Sequence, residues 1–187
     1  MLTIYLSMLE TEEEKKKMAD IYEQYRYYCI FIAKKLLENH EDAEDATHSA
    51  FIEIIKRKEK YFAMECSDFR ASLVVIVKNK AIDILRRKKK ESVGMTEPLE
   101  DVEDNKPSIS EILSVQEEYD LLRAALKKIA PSYSNILTLE YFEDLSIPEI
   151  AERLDKNKKN VEVTLYRARI SLRETMEKMK GNPDDHI

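Results

Sequence analysis

Residues 145–169, LSIPEIAERLDKNKKNVEVTLYRAR, decide the fold. Ile147, Ile150, Ala151 and Leu154 recur at helical spacing, and Val161 and Leu165 resume the rhythm beyond a short polar gap. Ser146 and Glu149 have the spacing of a capping box, Pro148 sits in the first turn, and Asn157 is placed to cap the second helix. Two short helices joined by a tight polar turn have the shape of a helix-turn-helix, whose first helix braces a second that lies in the DNA major groove. The small side chain of Ala151 permits close helix packing. Lys158, Lys159, Asn160, Glu162, Thr164, Arg167 and Arg169 are left to face solvent or DNA. The plainer alternative is a helical hairpin with a solvated charged face.

The same periodicity runs outward through the chain. Thr11 and Glu14 form another capping-box pair, followed by Met18, Ile21, Tyr22, Tyr25, Tyr28, Cys29, Ile32 and Leu36 at helical spacing down to Asn39–His40. A second helix is expected from about Asp42, where Asp42, Glu44 and Asp45 suit the positive end of the helix dipole. A connector, YFAMECS, then leads to Asp68 as the expected N-cap of a third helix carrying Phe69, Leu73, Ile76, Val77, Ile84 and Leu85. Beyond it, Ser108 and Glu111 form a further capping pair, and Pro131 is well placed to open a helix over 132–142. No strand pattern competes. The chain reads as all-α, with small helical domains over 11–91 and 109–180 joined by residues 92–108, a Pro- and acid-rich stretch read as a flexible linker.

Only two glycines and no tryptophan among 187 residues agree with a helical protein. The net charge of −6 hides strong segregation. Residues 78–90 hold seven cations against Asp83 alone, residues 91–120 hold ten anions against Lys106 alone, and residues 156–180 hold eight cations against three anions. Phosphate capture depends on such local patches, so two cationic surfaces on an acidic chain suggest contact with nucleic acid at two places. The run Arg86-Arg87-Lys88-Lys89-Lys90 also suits a solvated helix C-terminus. Tyr61 and Phe62 in the preceding connector offer the aromatic stacking that single-stranded bases use, although aromatics in a short connector usually plug a core.

Cys29 and Cys66 have neither disulfide-framework nor metal spacing, which fits a reduced, cytosolic compartment. The apolar N-terminus MLTIYLSML has no basic flank, so a signal peptide is not expected, and no run approaches the length of a membrane span. His40, Glu44, Asp45 and His48 share a helical stripe that includes one carboxylate-x-x-His motif. Helical di-iron sites need two such motifs. No catalytic residue, cofactor or metal is expected.

On these residues the chain resembles bacterial RNA polymerase sigma factors of the extracytoplasmic-function group. The first hallmark is Asp42-Ala43-Glu44-Asp45 followed by Phe51, then Ile76-Val77-Lys78-Asn79 through Asp83 to Arg86-Arg87. The second runs from 126–131 through Leu139-Glu140-Tyr141-Phe142-Glu143-Asp144-Leu145-Ser146 and Glu149-Ile150-Ala151 to Arg167-Ala168-Arg169. The resemblance implies that Asp42, Glu44, Asp45, Phe51 and Ile54 dock on core polymerase. Lys78, Asn79, Lys80, Asp83, Arg86, Arg87 and Lys88, with Tyr61 and Phe62, would engage the −10 promoter element, and connector 61–68 would hold a flipped base. The helix-turn-helix would read the −35 element, and the acidic stretch would thread the RNA exit path. It also admits a cognate anti-sigma protein as partner. The chain departs from the family pattern at Ser72, where many relatives carry Trp, at Asp155, where Gly is common, and at Glu162 and Thr164, where basic residues are common. On the helix-turn-helix alone, a DNA-binding regulator that works without polymerase is the competing expectation.

Overall fold

The computed structural model describes residues 1–93 and 107–181, apart from the side chains of 91–93. Nearly all of the acidic stretch 92–108, and His186, therefore lie outside the described residues. All regular structure among the described residues is helical: α1 Leu2–Ser7, α2 Glu12–Lys34, α3 His40–Lys56, α4 Lys58–Tyr61, α5 Cys66–Val93, α6 Ile109–Lys128, α7 Pro131–Tyr141, α8 Ile147–Arg153 and α9 Lys158–Gly181. The chain divides into two compact units between Gln116 and Glu117, inside α6.

The first unit is built on α2, α3 and α5, each packed on the other two. Most of the expected apolar stripes form its core: Met18, Tyr28, Cys29 and Ile32 of α2, Ala46, Ala50, Phe51 and Ile54 of α3, and Leu73 and Val77 of α5, joined by Val74, are all sealed from solvent, whereas Leu85, expected on the same face, is 43% exposed. Burying a side chain such as Ile54 or Met18 stabilises the fold by about 1.5–3 kcal/mol. Burial also pushes the Cys29 thiol up, so it serves as a small core hydrophobe.

The N-terminus of α2 is fixed as the sequence implies. Thr11 Oγ1 accepts the Glu14 backbone N–H at 3.2 Å, and the Glu14 carboxylate accepts the Thr11 N–H at 3.4 Å. That carboxylate also pairs with Lys58 Nζ at 2.7 Å, tying the start of α2 to α4.

Three local expectations are corrected. α3 starts at His40, because Asn39 caps it: its Oδ1 accepts the Glu41 N–H at 2.8 Å, ahead of the expected start near Asp42. Leu37, 2% exposed, takes the core place expected of Leu36, because the chain has already left the helix and turned. The N-terminal apolar segment forms α1, which the sequence reading left without a role. Tyr5 is buried against Tyr22, His48 and Phe51 with ring centroids 5.3–5.6 Å apart.

The second unit closes around Ile136, Leu137 and Leu139 of α7, Ile150 and Ala151 of α8, and Val161, Leu165 and Ala168 of α9, with Ile129 just beyond α6. Pro131 occupies the first turn of α7, where its missing N–H costs nothing. The turn between α8 and α9 is a Schellman motif. The Lys156 N–H reaches the Ala151 carbonyl at 2.8 Å, the Asp155 N–H reaches Glu152 at 3.2 Å, and Asp155 takes φ 51°. A left-handed residue at this point is why glycine suits the position in the family pattern. Asn157 Oδ1 then accepts the Asn160 N–H at 2.8 Å and opens α9.

Candidate nucleic-acid interface

Helices α8 and α9 make the expected helix-turn-helix. Ser146 and Glu149 cap α8: the carboxylate of Glu149 accepts the Ser146 N–H at 2.8 Å and also its hydroxyl. These bonds hold the Glu149 carboxyl below its usual range, the hydroxyl contributing more than the backbone. With Val161, Leu165 and Ala168 turned inward, Lys158, Lys159, Asn160, Glu162 and Arg167 are exposed on α9. Thr164 is half-buried and its hydroxyl donates to the Asn160 carbonyl at 2.6 Å, so it is engaged with its own helix.

Arg169 departs from the expectation. Its guanidinium donates to the Glu140 carboxylate at 2.5 Å and lies 5.9 Å from the Tyr141 ring centroid. It braces α9 on α7. Sequence reasoning also passed over Val163, Tyr166 and Ile170, which are exposed on the side opposite the buried stripe. Completing the helical wheel from Val161, Leu165 and Ala168 would have found them.

The second cationic surface lies along α5. Asn79, Asp83, Arg87 and Lys88 are exposed, whereas Lys78, Lys80 and Arg86 are half-buried. Several of these cations already face carboxylates. Lys88 pairs with Asp42, Lys80 Nζ lies 3.7 Å from Glu53, Lys78 Nζ lies 3.9 Å from Glu111, and Arg86 lies 3.9 Å from Asp83. Tyr61 is only 6% exposed, its ring packed into the core at the edge of the connector, and Lys60 Nζ lies 5.3 Å from the ring centroid. Phe62 is half-buried. Beside the connector, a recess of about 500 Å³ lies against α2, lined by residues that include Lys16, Lys17, Tyr25, Met64 and Phe69. Ser72 Oγ donates to Met64 Sδ at 3.6 Å, so the connector is fastened to α5 there.

The acidic α3 residues split into two kinds. Glu44 and Asp45 are exposed, and Asp42 is half-buried at its ion pair with Lys88. Phe51 and Ile54 are wholly buried and hold α3 in place from within the core. The histidines of the same helix go to different neighbours. His40 Nε2 lies 3.4 Å from Glu44 Oε1, while His48 Nδ1 shares a 2.8 Å hydrogen bond with the Tyr5 hydroxyl.

This arrangement has counterparts among known proteins. The family model described as Sigma-70 region 2 matches residues 21–91, and that described as Sigma-70, region 4 matches residues 119–172. The RNA polymerase sigma factor YlaC of Bacillus subtilis is 26% identical over 171 residues, which cover 90% of this chain and 96% of that protein. The ECF RNA polymerase sigma factor SigW of the same organism is 25% identical over 87% of this chain and 90% of its own length. A solved structure, the RsbN–BldN complex, is similar at 21% identity and a TM-score of 0.32, covering 84% of this chain and 89% of that one. With both regions matched in order and its relatives covered nearly from end to end, the chain belongs to the sigma-70 family of RNA polymerase sigma factors, in the extracytoplasmic-function group.

Proposed function

We propose that this chain is the promoter-recognition subunit that core RNA polymerase takes up to start transcription at a small set of promoters. The observation that carries the reading is the order of matched regions on one chain: the acidic outer face of α3, the cationic helix α5 and the helix-turn-helix of α8–α9. A regulator working without polymerase needs only the last of these, so the family membership favours the sigma-factor reading.

In this reading Glu44 and Asp45, exposed on α3, meet a cationic surface of the polymerase, and Phe51 and Ile54 keep that helix rigid beneath them. Asn79, Arg87 and Lys88 engage the strand at the −10 element, with Lys78, Lys80 and Arg86 available once their neighbouring carboxylates yield. The recess beside residues 61–68 is of a size to take one unstacked base, with Lys16 and Lys17 near its phosphates. Lys158, Lys159, Asn160, Glu162 and Arg167 face the −35 duplex. The chain supplies position and charge and performs no bond-making step itself; that chemistry belongs to the polymerase. No described helix is long and apolar enough to cross a membrane.

Run-off transcription with purified core polymerase is the test. The full chain should direct initiation from discrete sites on genomic templates, and Glu44→Lys with Asp45→Lys should weaken capture by core at least tenfold while the circular dichroism melt stays unchanged. A chain that binds promoter duplex tightly without core, and never joins it, would establish the competing regulator.

A further inference from the structure

Helix α9 carries an apolar stripe on its outer side that the cationic reading of the helix-turn-helix does not use. Val163 is 42% exposed, Tyr166 66% and Ile170 36%. Their spacing of three and four residues puts them on one face, opposite Val161, Leu165 and Ala168. A single exposed apolar residue is ordinary. Two in the N-terminal half of the second helix of a helix-turn-helix are another matter, because that half enters the major groove. Val163 and Tyr166 sit there, with Lys159 one turn before Val163 and Arg167 next to Tyr166, and both cations are exposed.

The major groove offers one apolar group to such a surface, the C5-methyl of thymine. The spacing suits it. Three residues of helix advance about 4.5 Å, close to the roughly 3.4 Å between successive bases of one strand. Beside this stripe, Glu162 stands in the series where a cation would serve, and Thr164 is bonded to its own helix. Arg169, further along α9, is engaged with Glu140.

We propose that Val163 and Tyr166 read two neighbouring thymine methyls in the −35 element, so that this chain selects its upstream element by apolar contact, with Lys159 and Arg167 holding the backbone. The inference rests on the sigma-factor reading. Lys159 and Arg167 set the register, and the methyl contacts supply the sequence preference at two adjacent positions.

The experiment uses holoenzyme reconstituted from core polymerase and the full chain, selecting bound promoters from a duplex library randomised upstream. The selected −35 element should contain two adjacent thymines on one strand. Replacing each by deoxyuridine removes only a methyl and should weaken binding about fourfold, the worth of one buried carbon. Val163→Ala should erase the penalty at one of the two positions and Tyr166→Ser at the other. Both side chains are exposed, so neither change should move the melting temperature. The deoxyuridine arm needs no variant and decides the matter even if one folds poorly. Initiating holoenzyme that selects no thymine pair, or is indifferent to deoxyuridine, overturns the methyl reading and leaves the sigma-factor reading standing. Failure of the chain to join core, or of the mixture to initiate anywhere, overturns both.

Discussion

Arg169 and Lys159 look alike in the sequence and do different things. Lys159 is exposed on the groove-facing side of α9, whereas Arg169 is held by Glu140 and Tyr141 on α7. Lys159→Ala should therefore lower the slope of log affinity against log salt for promoter binding by about one. Arg169→Ala should leave that slope unchanged and destabilise the second unit by no more than about 1 kcal/mol, since the pair is partly exposed. Holoenzyme binding at a series of salt concentrations, beside a thermal melt, separates the two. Asp155 makes a second single-residue case. Its φ of 51° asks a β-carbon to sit where glycine is easier, so Asp155→Gly should stabilise the second unit, by up to about 1 kcal/mol. A lower melting temperature would mean that the Asp side chain itself holds the turn. Neither residue's role could be read from its type. A guanidinium near a helix C-terminal half and an aspartate in a polar gap are both common, and only the partner or the dihedral tells them apart.

Among the elements, the helix starts marked by capping boxes were legible, whereas α5 opens at Cys66, ahead of the cap expected at Asp68. Thr11 with Glu14, Ser108 with Glu111 and Ser146 with Glu149 were marked by a three-residue spacing, and each pair is bonded as that spacing implies. Asn39 went unrecognised as the cap of α3 because Asp42, Glu44 and Asp45 gave a stronger but merely electrostatic signal. The α8 cap has a measurable pH signature. Glu149 is held below the usual carboxylate range in the folded state, so its stabilisation is complete above the ordinary value of about 4.3 and is lost as pH falls through the lower folded value. The melting-temperature gap between the parent chain and Glu149→Ala should thus be widest near neutrality and close below roughly pH 4. A gap that persists unchanged at pH 3 would show that the ionised carboxylate is not the stabilising form. The α1 helix was invisible for a simpler reason: six residues are too few to show periodicity, and its anchor Tyr5 is fixed by α2 and α3.

For the whole molecule, each unit has its own sealed core, centred on Phe51 and Ile54 in one and on Ile136 and Ile150 in the other. Calorimetry should resolve two transitions. Phe51→Ala, costing about 3–5 kcal/mol, should lower one of them and Ile136→Ala the other. A single transition shifted equally by both would show that the units melt as one. Charge at this scale is also less simple than the sequence suggested. Of the seven cations over 78–90, Lys88, Lys80 and Lys78 face Asp42, Glu53 and Glu111.

The sequence by itself determined the helical class, the capping boxes, the inward stripes, the helix-turn-helix and the two cationic segments, because these follow from spacing within one or two turns. Tertiary structure decided which of the marked residues are available. It buried Tyr61, Phe51 and Ile54, turned Arg169 onto α7 and set Lys88 against Asp42, 46 positions away. It also left Val163 and Tyr166 on the open side of α9. Periodicity fixes which face of a helix turns inward. What lies opposite each face depends on packing between segments distant in the chain, and no local pattern carries that information.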